Sequence, residues 1–267
     1  LTHTTCESKL QDNNYYEPVL QAKNLSKAFN LKYAIKDISF HLNKGEILGI
    51  LGPNGAGKTT TLHLLLGLIK ATSGEVNIFG LNIDKNRSEI LSRMNFSSAY
   101  ISMPYNLSVM DNLIVFSRLY QIKKLKEKIS YLLNLFEIEN LKDKITGSLS
   151  SGQNSRVNLV KALLNEPEIL LLDEPTASLD PDIALKVRTI LCDIREKNRT
   201  SIIYTSHNME EVENMCDRLI FLANGKILIQ GTTNEILAKT GKSSLEELFI
   251  SVSREQSQHN INDINEE

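Results

Sequence analysis

Tryptophan is absent from this 267-residue chain, and aromatic residues make up only 6% of it. An aromatic-rich binding surface is therefore not expected. Cysteine is scarce as well. Cys6, Cys192 and Cys216 are far apart and odd in number, with neither zinc-ligand spacing nor a disulfide framework, so a reducing cytosol is the simplest compartment. Charge of one sign is also lacking: 30 basic against 32 acidic residues leave a net charge of −2. That excludes broad electrostatic binding to nucleic acid, and no direct nucleic-acid partner is expected. Long apolar runs are missing too. The charge-free stretch from Met94 to Met110 is broken by Ser, Asn, Tyr and Pro, whereas a spanning helix needs roughly 20 mainly apolar residues. The opening LTHTTCESKLQDNN has no basic region followed by an apolar core, so it does not read as a secretory signal. Any membrane role has to come through a partner.

What is present is globular: 41% hydrophobic and 23% charged residues, enough for one large domain or two small ones. Residues 1–16 and 252–267 are polar and are expected to be disordered. Between them, PVLQAKNLSKAF and YAIKDISFHL alternate as short strands. GEILGILG, EILLLDE and SIIYTSH are apolar runs of buried-strand type. GEVNIFG is a further strand, and RLIFLANGKILIQG is a hairpin turning at Asn224–Gly225. Leu62, Leu65, Leu66 and Ile69 predict a helix, and residues 88–165 read mostly as helix. The expected fold class is α/β: a mainly parallel sheet with an antiparallel N-terminal addition and a helical insertion.

Gly52-Pro53-Asn54-Gly55-Ala56-Gly57-Lys58-Thr59 fits G-x-x-x-x-G-K-[ST], after a buried strand and before an amphipathic helix, and together with Thr60 these are the candidate nucleotide-binding residues. Glycines let backbone N–H groups converge on phosphate oxygens, and the helix N-terminus adds its dipole. Lys58 then neutralises phosphate charge and Thr59 offers a hydroxyl to Mg²⁺. Asp173, closing EILLLDE, is a second candidate for Mg²⁺. Glu174 beside it is the candidate general base that orients the attacking water.

Leu149-Ser150-Ser151-Gly152-Gln153 opens a helix twenty residues before Asp173, a second anion-binding surface in one chain. Here the chain resembles the ATP-binding cassette (ABC) superfamily, whose LSGGQ signature LSSGQ resembles. The resemblance covers roughly residues 17–250. It implies a P-loop NTPase core with ATP and Mg²⁺ as cofactors, and a helical subdomain over about residues 88–165. It implies a head-to-tail pair of nucleotide-binding subunits (a homodimer in the simplest case), each ATP lying between one subunit's phosphate loop and the other's Ser150, Ser151, Gly152 and Gln153. Ser178-Leu179-Asp180 resembles the loop that communicates between protomers, although Asp180 before Pro181 is also a helix cap by residue type. His207, closing SIIYTSH, matches the switch histidine. Phe29 matches the aromatic that stacks on adenine, with Tyr33 as the alternative. The family works with an integral membrane permease, which places the subunit in the cytoplasm, peripherally attached to the inner face of the cell membrane.

Two departures stand out. Ser151 replaces a usual glycine, at a cost if the backbone there has positive φ. The glutamine that touches Mg²⁺ in the family is missing. LSVMDNL fixes the register and puts Ser98 near that position, with Asn95 or Ser97 as alternatives. NFSS with LSSGQ, and the closing SSLEELFI, resemble export-type subunits. Two rival readings are a soluble ABC ATPase acting on nucleic acid or ribosomes, and a non-catalytic nucleotide-sensing module. The single cassette and acidic balance weigh against the first; Glu174 and His207 weigh against the second.

Overall fold

A computed structural model describes residues 18–30, 32–98 and 103–254. In chain order the elements are β1 (Pro18–Phe29), β2 (Lys32–Asn43), β3 (Ile47–Leu51), α1 (Lys58–Leu65), β4 (Ser73–Ile78), β5 (Leu81–Asn82), α2 (Arg87–Ser92), β6 (Met94–Ser98), α3 (Val109–Leu119), α4 (Leu125–Leu135), α5 (Ser151–Ala162), β7 (Ile169–Asp173), α6 (Pro181–Asn198), β8 (Ser201–Thr205), α7 (Met209–Met215), β9 (Arg218–Ala223), β10 (Lys226–Gly231) and α8 (Thr233–Thr240). Residues 245–254 are again helical. The described strands form an antiparallel sheet ordered β2-β1-β4-β5 and a larger sheet ordered β10-β9-β3-β8-β7-β6. In the larger one only the β9–β10 hairpin is antiparallel. Its turn is Asn224–Gly225, both with positive φ (48° and 72°), as a two-residue hairpin requires. The α/β class and the antiparallel addition are as expected.

Strand alternation divides the core. Ile169, Leu171, Ile203, Ile220 and Leu222 face the cluster shared with α1 and the antiparallel sheet. Leu170, Leu172, Ile202 and Tyr204 face the cluster shared with α3, α4 and α5. Both faces of the parallel strands are covered, which is why these strands read as continuous apolar runs.

The structure differs from the sequence reading at three places. The stretch 88–165, read mostly as helix, also holds a strand that was not expected, β6, which pairs with β7. The predicted first helix ends at Leu65, before Ile69, where Gly67 at φ 60° stops it. The tail expected to be disordered from residue 252 is helical to 254, and Val252 packs beside Leu245 and Leu248. Residues 1–16 and the remainder of that tail lie outside the described residues. Among the described residues Cys216 is a free cysteine, and Cys6 lies outside them.

One half-buried cation ties the helical layer to the sheet. Lys161, on α5, donates from Nζ to the Phe96 carbonyl of β6 at 2.9 Å and lies over the Phe116 ring. Burial pulls its pKa down to about 8. An unfolded lysine titrates near pH 10.4, so between those values the unfolded chain binds the extra proton and stability rises with pH. The wild-type chain is expected to gain, from this group, on the order of 2 kcal/mol between about pH 7.5 and about pH 10. Lys161→Met removes that gain, and denaturant titrations of both proteins at the two pH values measure it. Equal gains would show that Lys161 is not the source.

Candidate nucleotide site

The phosphate loop is set by close packing. Gly52 follows β3 with φ 150°, and a Cβ there would lie 2.2 Å from the Leu222 carbonyl oxygen; no other residue fits that approach. Gly57 (φ 108°) is the N-cap of α1, so the first free N–H groups of the helix belong to the loop. Ala56 turns into the core. Lys58 is buried, and its Nζ donates to the carbonyls of Gly52 at 2.5 Å and Pro53 at 3.1 Å. Burial lowers its pKa, while Glu174 and Asp173 oppose that shift.

Strand register assembles the acidic side. Ser98, Asp173 and Thr205 stand opposite one another at the carboxyl ends of β6, β7 and β8. Thr205 donates its hydroxyl to Asp173 Oδ1 at 2.7 Å. Glu174 leaves the strand with φ 51°, its N–H directed to the Thr205 carbonyl and hydroxyl. Its Oε1 lies 2.6 Å from His207 Nε2. A cavity of about 660 Å³ brings together Phe29, Asn54, Gly55, Gly57, Lys58, Thr59, Thr60, Asp173, Glu174 and His207. Phe29 is 50% exposed at its mouth, with Lys27 Nζ 5.0 Å from the ring centroid, so it is not a core strand residue. Tyr33 does not line this cavity.

Register also separates the three candidates for the missing glutamine. Asn95 pairs with Leu170 and Ser97 with Leu172, on the face turned to the helical layer. Asn95 is engaged there with Asn165 and Tyr120. Ser98 alone shares the strand face of Asp173, because side chains alternate. Residues 99–102, which follow, lie outside the described residues.

The signature segment stands apart: none of Ser150, Ser151, Gly152, Gln153 or Asp180 lines the cavity around the phosphate loop. Ser150 caps α5, its Oγ accepting the Gln153 N–H at 3.3 Å, and Gln153 Oε1 accepts the Ser150 N–H at 3.2 Å. This capping box leaves the Ser150 hydroxyl proton available to a ligand. Ser151 is the first residue of α5 and is not among the positive-φ residues, so its replacement of glycine carries no backbone strain. Gly152 keeps a close approach, since a Cβ would meet the Ser178 carbonyl at 2.9 Å. Asp180 stands at the N-cap position of α6, before Pro181, and makes no side-chain capping bond.

Two residues escaped sequence reasoning. Thr205 was legible only as a strand end. Glu211 is one of three acids in the short helix α7, yet it is buried under Tyr204 and Thr176.

A glycine loop between a parallel strand and a helix, with two acids closing the next strand but one, defines a P-loop nucleotide-binding cassette. Solved structures agree. One described as "Structure of ATP binding subunit of ABC transporter" superposes with a TM-score of 0.80 at 25% identity, covering 88% of this chain and 99% of that one. The linearmycin resistance ATP-binding protein LnrL of Bacillus subtilis (strain 168) is 34% identical over 236 residues, covering 87% of this chain and 75% of that protein. The Nod factor export ATP-binding protein I of Burkholderia orbicola (strain AU 1054) is 34% identical over 217 residues, covering 80% and 71%. Residues 35–177 match the family model described as ABC transporter, and the chain belongs to that family. It is an ATP-binding ATPase subunit of the transporter class. Among the described residues no helix is long and apolar enough to cross a membrane.

Proposed function

We propose that the chain hydrolyses ATP as one of a pair of identical subunits and drives export through a separate integral membrane permease, attached to the inner face of the cell membrane. The observation that carries this reading is the division of the site. The phosphate loop, Asp173, Glu174 and His207 share one cavity, while Ser150 to Gln153 open α5 elsewhere on the chain. A capped helix start with free donors suits an anion, and a second copy supplies the anion its own chain does not.

Within the cavity, Lys58 and the first amides of α1 hold the phosphates, and Phe29 stacks on the base. Glu174 accepts the proton of the attacking water, and His207, its Nε2 2.6 Å from Oε1, fixes its carboxylate. Thr59, Asp173 and Ser98 supply a hydroxyl, a carboxylate and a second hydroxyl. That donor set suits Mg²⁺, which takes one or two carboxylates and completes its shell with phosphate oxygens. When bound, the ion neutralises charge on the β- and γ-phosphates. Asp180, exposed before α6, faces the partner subunit. Export as the direction rests on the printed names of relatives, the Nod factor export protein among them.

Ser98→Ala is expected to raise the Mg²⁺ concentration for half-maximal ATPase activity by roughly 10-fold, as loss of a metal-shell hydroxyl does. Ser97→Ala, on the opposite strand face, leaves it in place. Equal behaviour of the two variants would remove Ser98 from the role. The permease is tested by purifying tagged Glu174→Gln from mild-detergent membranes and identifying what accompanies it. A stoichiometric multi-span protein supports the reading. Ribosomal or nucleic-acid companions would favour a soluble ABC ATPase instead.

A further inference from the structure

Behind the Glu174–His207 pair lies a carboxylate that the nucleotide chemistry does not use. Glu211, in α7, is buried, with 3% of its side chain exposed. Its Oε1 accepts the hydroxyls of Tyr204 at 2.6 Å and Thr176 at 2.7 Å, with Arg188 Nη1 at 3.4 Å. Its Oε2 accepts the Ser206 hydroxyl at 2.8 Å. Ser206 Oγ in turn accepts the Asn208 N–H at 3.1 Å, and Asn208 Oδ1 accepts the Glu211 N–H at 3.1 Å. The residues on either side of His207 are thus both fastened to Glu211, one through its carboxylate and one through its backbone. Thr176, two residues after Glu174, is fastened to the same carboxylate.

A buried carboxylate is destabilising unless hydrogen bonds satisfy it, and an apolar side chain of similar volume would fill the space at lower cost. What the carboxylate supplies is directed geometry: its donors come from β8, from the loop after β7, from α6 and from the loop before α7. We propose that Glu211 is a positioning residue that holds the His207 loop and the turn after Glu174 in register, so that the 2.6 Å contact between His207 Nε2 and Glu174 Oε1 is preset. This rests on the catalytic roles proposed above for Glu174 and His207.

The test is Glu211→Gln in the full chain. An amide places a donor where the carboxylate only accepts, so one face of the cluster loses its match. A misplacement of about 1 Å costs on the order of 100-fold in rate, so kcat is expected to fall roughly 10- to 100-fold while KM for ATP stays within about twofold. The His207 imidazole carbon resonance, assigned through His207→Gln, is expected to shift in the nucleotide-free variant. A merely structural role would lower thermal stability without moving that resonance. Unchanged kcat, or a loss of activity with the His207 signal in its wild-type place, overturns the proposal. If the glutamine variant does not fold, Ser206→Ala removes a single hydroxyl beside His207 and is read in the same way, with unchanged kcat and an unmoved resonance as the contrary result. Should Glu174→Gln retain full turnover, the reading of the catalytic pair fails first, and the Glu211 experiment is not needed to show it.

Discussion

Replacing Glu174 by Gln is expected to cut steady-state ATP turnover by roughly 100- to 10,000-fold, the usual worth of a positioned general base, with ATP binding retained. The substitution is nearly isosteric. It keeps the φ of 51° that brings residue 174 off the strand, the backbone bonds to Thr205, and a hydrogen-bonding atom facing His207. It removes only the ability to accept a proton. Phosphate release under saturating ATP measures the first part, and equilibrium binding the second. Turnover near wild type would mean that another group takes the proton, and the 2.6 Å pair with His207 would then need a different explanation.

Lys58→Ala is expected to act on binding itself. Lys58 is buried, and its ammonium group is held by the Gly52 and Pro53 carbonyls, poised over the first turn of α1. Burial disfavours its charge, and Glu174 and Asp173 restore part of it, so the cation is kept where polyanionic phosphates arrive. A hydrogen bond to a charged group is worth about 1.5–3 kcal/mol, which corresponds to an affinity loss of roughly 10- to 150-fold. The same truncation also frees the two carbonyls that Lys58 bridges, so the loop loses an internal tie. Titration calorimetry with ATP reads the loss, and an unchanged dissociation constant would refute the phosphate role of Lys58.

Much of this site was readable before the fold was known, and the reason is local. The phosphate loop needs glycines at fixed offsets because the backbone itself approaches phosphate, and Gly52 shows the constraint directly against Leu222. Buried parallel strands need continuous apolar runs, so Ile169–Asp173 and Ser201–Thr205 were plain. β6 was not, because MNFSS carries Asn and Ser at positions where β7 and β8 carry leucine, isoleucine or tyrosine. It belongs in the sheet because its polar side chains find partners there, Asn95 with Asn165 among them. Glu211 was invisible for a related reason. MEEVENM carries three glutamates among seven residues, and only the tertiary approach of Tyr204, Thr176 and Arg188 turns one of them into a buried hub. Ser98 lies between these cases. Spacing to LSVMDNL pointed to it within a residue or so, and strand register sets it, unlike Ser97 and Asn95, opposite Asp173.

The central claim is that each complete ATP site takes its phosphate loop from one copy and Ser150 to Gln153 from another. The most direct measurement is the solution mass of Glu174→Gln, by light scattering, with and without ATP and Mg²⁺. The chain has a mass of 30.0 kDa, and the expected result is that mass without nucleotide and twice it with ATP, the pairing lost when Gly152 is also replaced by Asp. A protein that binds ATP tightly yet keeps the single-chain mass at every concentration would contradict a site shared between two copies.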